Sequence, residues 1–138
     1  MSMKSISELQ KELDIIREKV IDGPRPNGLF MIPESPTHTG AAHVEIVNGK
    51  YHYVITERGS EFERKVTQSE DELLYWFASD SIFSIACAWE LEHRKEDEDF
   101  RRQLFSKQIE LLYKVNPKWA EQEQAYHEKV LSENPFTC

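Results

Sequence analysis

Few residues in this chain have the type and spacing to do chemistry. Five histidines are present. His38 and His43 stand four apart, but in a stretch of proline and glycine rather than on one helical face. His43, Glu45 and His52 fall in segments that alternate like strands, where every second residue shares a face. A zinc site needs three or four convergent ligands, and nothing in this spacing fixes a set. Ordinary strand-surface residues are the better reading. Glu90-x-x-His93 has the spacing used in carboxylate di-iron bundles, but those sites need two such motifs plus two further glutamates. Only one copy occurs here. Cys87 sits in the most apolar segment, which suits a packed thiol better than a nucleophile. Asp80, set between two serines, reads as a helix cap before it reads as a catalytic carboxylate. No glycine-rich phosphate loop, GxSxG elbow or HExxH pair is present. These residues point to no reaction, no metal and no cofactor.

The carboxylates are more informative. Glu90, Glu92, Glu96, Asp97, Glu98 and Asp99 crowd into ten residues, relieved only by His93, Arg94 and Lys95. Glu70, Asp71 and Glu72 form a second patch. The chain carries 17 basic and 25 acidic residues, for a formal charge of −8. Residues 69–138 alone hold 15 acidic against 8 basic side chains, so nearly the whole surplus lies in that half. One reading is a solvated helix corner, with Asp99 paired to Arg102 across a turn. The other is a surface that steers a basic protein into contact. Nucleic acid is disfavoured as a partner, because an acidic surface repels phosphate backbones. A membrane is disfavoured too: no apolar run approaches the ~20 residues of a span, and no signal-peptide block opens the chain. Cys87 and Cys138 lie far apart, which fits a reducing, cytoplasmic setting.

The periodicities place these residues on an α+β architecture. Its 138 residues suit a single domain. Ser5 with Glu8 makes a capping box, and Ile6, Leu9, Leu13, Ile16 and Val20 follow at steps of three and four. A helix over 1–21 is expected, stopped by Gly23-Pro24. Residues 22–42, with Pro24, Pro26, Pro33 and Pro36, read as a loop in which Leu29–Ile32 forms a short strand. Over 43–67 two alternating runs flank Asn48-Gly49, the strongest hairpin cue, and Arg58-Gly59-Ser60 turns into a third strand. An antiparallel meander of three or four strands follows. Helices are expected over 69–131, packed on the sheet, starting from the capping box Ser69/Glu72. From Leu73 to Leu91 apolar residues occupy more than one face, which implies burial on more than one side. Ser79-Asp80-Ser81 leaves open one long helix or two. Trp76, Trp89, Trp119, Phe77, Phe83, Phe100 and Phe105 read as core rather than as a ligand pocket, and an exposed Trp119 or Tyr126 would instead suit a protein partner. Asn116-Pro117 starts a last helix.

Tyr75-Trp76, Asp80, Phe83, Ala86, Glu90-Leu91, Arg94, Asp99-Phe100-Arg101-Arg102, Phe105-Ser106-Lys107-Gln108 and Trp119 stand in an order that resembles immunity protein family 63 of bacterial polymorphic toxin systems. The resemblance covers mainly residues 51–120. It implies a small cytosolic protein that binds and neutralises a cognate toxin domain, with no cofactor and no reaction. Many such toxins are nucleases, whose active sites are basic, so an acidic inhibitor would suit one. Glu92, Glu96, Asp97, Glu98 and Asp99 are then the expected partner-binding residues, with Glu70, Asp71 and Glu72 as the second patch. Two other classes stay open. One is a regulatory or scaffold module for another basic protein. The other is a small metal-dependent enzyme using His43, Glu45, His52 or Asp80.

Overall fold

In the computed structural model a helix comes first, then three antiparallel strands, then three helices. The structure describes residues 3–21 and 28–137, without the side chain of Thr39. The predicted breaker Gly23-Pro24, Pro26 and Cys138 lie outside these residues. Helix α1 (Ile6–Val20) opens on the expected reciprocal cap: the Glu8 amide donates to Ser5 Oγ at 3.2 Å and the Ser5 amide to Glu8 Oε1 at 3.1 Å. Leu9, Leu13 and Ile16 form its buried stripe.

Leu29–Ile32 is not a strand. Gly28 and Phe30 have φ of +79° and +53°, which bends the chain into a turn. Gln10 of α1 then donates to the Phe30 carbonyl at 2.9 Å and accepts from the Ile32 amide at 2.8 Å, taking up the groups that a strand neighbour would use. The first strand also starts earlier than expected. Strands β1 (Thr39–Val47), β2 (Lys50–Glu57) and β3 (Ser60–Thr67) form one sheet in that order, with an irregularity between Thr39 and Ala42. Asn48-Gly49 and Arg58-Gly59 both adopt positive φ, the geometry that matches the twist of paired strands.

Helix α2 (Glu70–Glu92) is a single 23-residue helix, so Ser79-Asp80-Ser81 does not start a new one. Helix α3 (Phe100–Val115) and helix α4 (Pro117–Glu133) are joined through Asn116 alone. That residue caps both: its amide donates to the Leu112 carbonyl at 2.8 Å, and its side chain accepts from the Lys118 amide at 2.9 Å. No helix among the described residues is long and apolar enough to cross a membrane.

The residues group into two compact units. One holds α1 up to Glu18 with residues 28–78; the other holds residues 19–21 with residues 79–137. In the first unit, the first turns of α2 pack on one sheet face. Tyr53 meets Trp76 and Phe77 edge-on, with ring centroids 5.5 and 5.0 Å away, and Lys65 caps the Tyr53 and Trp76 rings. Tyr51, fully buried, donates to the Lys4 carbonyl at 2.7 Å. In the second unit the core is Ile82 and Ala86 of α2, Leu104, Leu111 and Leu112 of α3, and Trp119 and Ala120 of α4. His127 belongs to it as well, stacked on Phe105 at 3.9 Å and paired with Glu123 at 3.2 Å.

Candidate functional site

The acidic run 92–99 leaves α2 and enters α3, and the residues around it are held firmly. At the end of α2, buried Glu90 takes both arms of Arg94, at 2.7 and 3.1 Å. The Arg94 guanidinium keeps its carboxyl below the ordinary value. His93 is not its partner. The His93 ring stacks on Trp89 with centroids 4.4 Å apart, and its Nδ1 donates to the Trp89 carbonyl.

Asp99 ends the run as the cap of α3. Its Oδ1 accepts from the Arg101 amide at 3.0 Å, and the Arg101 guanidinium donates to both carboxylate oxygens. Thr137 adds its amide and hydroxyl to Oδ2, at 3.0 and 3.3 Å. These donors, Arg101 first, hold the Asp99 carboxyl well below the usual carboxylate range. Arg101 also donates to the carbonyls of Asn134 and Pro135, and Arg102 lies 4.2 Å over the Phe136 ring. The expected Asp99–Arg102 pair is therefore replaced by Asp99–Arg101, with Arg102 turned to the segment that follows α4. The Asp-Phe-Arg-Arg run thus straps residues 134–137 to the start of α3.

Between these two fixed points lie the free carboxylates. Glu92, Glu96 and Asp97 are exposed, and among the described residues no hydrogen bond or ion pair engages them. Glu98 is half-buried and only 3.8 Å from Lys95. A hollow of about 470 Å³ beside the link has Glu96, Glu98 and Asp99 facing Arg94, Lys95 and Arg101. Mixed lining of this kind selects no small ion of either sign. On the outer surface of the link, Glu92, Glu96 and Asp97 stand beside exposed Arg94 and Lys95.

The second acidic patch lies at the start of α2, in the other unit. Glu70 is half-exposed, 3.9 Å from Lys4, while Asp71 and Glu72 are exposed. The Ser69 hydroxyl accepts from the Glu72 amide at 3.0 Å, as expected for that cap.

The strand residues do converge, but on an arginine. Glu45 and His52 are cross-strand partners. His43, fully buried, donates through Nε2 to Glu45 at 2.7 Å. Arg64 donates to Glu45 at 3.2 Å and to His52 Nδ1 at 3.0 Å, and pairs with Glu61 at 2.7 Å. His43 and then Arg64 lower the Glu45 carboxyl, and Arg64 lowers that of Glu61. A guanidinium thus sits where these side chains would otherwise meet. His38 stands apart, exposed and in left-handed backbone with φ +56°. Among the described residues no three His, Cys, Asp or Glu side chains are grouped to hold a metal ion. Asp80 is exposed on α2, beside none of these residues in sequence.

Two aromatic residues expected in the core lie outside it. Phe83 is 45% exposed and Phe100 48%. Leu91, part of the same apolar run, is 64% exposed, and Cys87 is half-buried rather than packed away. Trp119 is buried, whereas Tyr126 is 60% exposed.

The polar features of this α+β fold are capped helices, internal ion pairs and an acidic corner between α2 and α3. Comparison with known families gives the class a name: the model of immunity protein 63 matches residues 48–129, well over half the chain. The chain belongs to the immunity protein 63 family. The match takes in the sheet's hairpin turn, β2, β3, α2, α3 and most of α4, and so includes the acidic corner. No curated protein and no solved structure matches the chain.

Proposed function

We propose that this immunity protein neutralises a cognate bacterial toxin domain by binding it in the cytoplasm, with no cofactor and no reaction of its own. The partner's contact surface is basic, as a nuclease active site is. One observation carries this reading: Glu92, Glu96 and Asp97 stand exposed and unengaged on a link anchored at both ends by Glu90–Arg94 and Asp99–Arg101. Clustered carboxylates that outnumber the neighbouring Arg94 and Lys95 raise the rate at which a basic partner is captured.

The eight acidic residues divide by what their carboxylates are doing. Glu92, Glu96 and Asp97 are the contact set. Glu98 supports them at close quarters to Lys95. Asp99 is a positioning residue, because its oxygens are taken by Arg101 and Thr137. Glu70, Asp71 and Glu72 rank second, since the positive end of the α2 dipole offsets part of their charge.

The test is co-expression with the cognate toxin domain, sought in the gene adjacent to this one. The wild-type chain is expected to restore growth, and Glu92→Lys/Glu96→Lys/Asp97→Lys to restore it less at matched expression. A wild-type chain that gives no rescue and no complex with that domain would overturn the reading.

A further inference from the structure

Two arginines, Arg101 and Arg102, follow the acidic run almost at once. Arg101 is taken up by Asp99. Arg102 has an acidic neighbour of its own in sequence. Glu98 stands four positions before it, close to the separation and order at which opposite charges pair along a helix. The two side chains also line one hollow of about 290 Å³, with Trp89, Gln103, Lys107 and Glu110 around them. Yet no ion pair joins them. Glu98 lies 3.8 Å from Lys95 instead. Arg102, although exposed, has no carboxylate partner among the described residues.

Arg102 meets an aromatic ring. Its guanidinium lies 4.2 Å over Phe136, and that of Arg101 lies 5.6 Å from the same ring. The ring is placed from several sides. Just before it, the carbonyls of Asn134 and Pro135 accept from Arg101 at 2.9 and 3.0 Å. Just after it, the Thr137 amide donates to Asp99 at 3.0 Å. Phe105 of α3 lies 6.5 Å away between ring centroids. A guanidinium is weakly hydrated and rests readily on an aromatic face, an attraction that needs no carboxylate. Residues 134–137 themselves carry no charged side chain. They engage Arg102 without adding charge to the corner.

We propose that Phe136 is a positioning residue for the acidic corner: by holding Arg102 on its ring it keeps that cation off Glu98, and so keeps the field around Glu96 and Asp97 negative. This rests on the toxin-binding reading and goes beyond it, because it gives a part in capture to an uncharged residue outside the matched stretch 48–129. Replacing the ring leaves every charged group in the chain. What changes is where one of them lies.

The test is made on the free, full chain. Paramagnetic relaxation of the Glu96, Asp97 and Glu98 amides is measured with a cationic and with an anionic nitroxide, and the ratio of the two effects reads the local potential. Phe136→Ser is expected to lower the cationic-to-anionic ratio about twofold at low salt, as one unit charge does on moving a few ångströms closer. In an Arg102→Gln background the same substitution is expected to leave the ratio unchanged, since the charge that would move is gone. Phe136→Leu keeps an apolar side chain in place, is expected to lower the ratio as well, and decides the matter if the serine variant does not fold. An unchanged ratio in the folded Phe136 variants would overturn the proposal. An equal drop with and without Arg102 would overturn it too, and would leave Phe136 a support of the fold alone. None of these measurements involves the toxin, so their failure leaves the toxin-binding reading standing. That reading fails separately, if the wild-type chain forms no complex with its cognate toxin domain.

Discussion

Asp99 does three jobs with one carboxylate: it caps α3, orients Arg101 and receives Thr137 from the segment after α4. Each donor favours the ionised form, so its carboxyl lies below its ordinary 3.8 in the folded chain. The unfolded chain therefore takes up the proton first on acidification. The stability that Asp99 contributes is complete above about pH 5 and is lost as pH falls toward the folded value. Glu90, lowered by Arg94, acts with the same sign. Asp99→Asn should lower the thermal midpoint at neutral pH and flatten its fall between about pH 5 and pH 2. Melting curves across that range check it, and an unchanged acid limb would refute the assignment. A three-residue spacing suggested Arg102 as the partner, since helical neighbours meet at that distance. But Asp99 is the cap, with an extended ψ of 122°, and its side chain turns back to the first free amides instead. Arg102 finds Phe136, a contact between distant parts of the chain that local pattern does not encode.

Among the elements, those legible from the sequence are the ones whose signals are local. Ser5/Glu8 fixes the start of α1, Asn48-Gly49 and Arg58-Gly59 fix the hairpins, and Asn116-Pro117 fixes the start of α4. Leu29–Ile32 was not legible, because Gln10 reaches it from twenty positions away and competes for its backbone. Helix α2 is the more instructive case. Its pattern registers apolarity on several faces but does not say what covers them. Ile82 is fully buried, while its neighbour Phe83 is 45% exposed. Ile82→Ala should cost about 2–4 kcal/mol, as buried truncations do. Phe83→Ala should cost less than about 1 kcal/mol, since much of the ring is already in water. Denaturant titration of the two variants reads the difference, and equal losses would mean that Phe83 is part of the chain's own core.

At the level of the whole molecule, a net charge of −8 by itself indicates only what the chain avoids. The structure divides that charge into carboxylates spent on the fold, such as Glu90 and Asp99, and carboxylates left unengaged, such as Glu92, Glu96 and Asp97. Composition gives the total, while the division depends on which arginines lie within reach, and so appears only in three dimensions. In the function proposed above, the second group steers a basic toxin domain into contact. The most direct test is the association rate with the cognate toxin domain, measured by stopped flow for the wild-type chain and for Glu92→Lys/Glu96→Lys/Asp97→Lys across a range of salt. The wild-type rate should fall steeply with salt. The variant should associate at least about tenfold more slowly at low salt and show little salt dependence, with its thermal midpoint nearly unchanged. Equal rates and equal salt slopes for the two proteins would contradict the account.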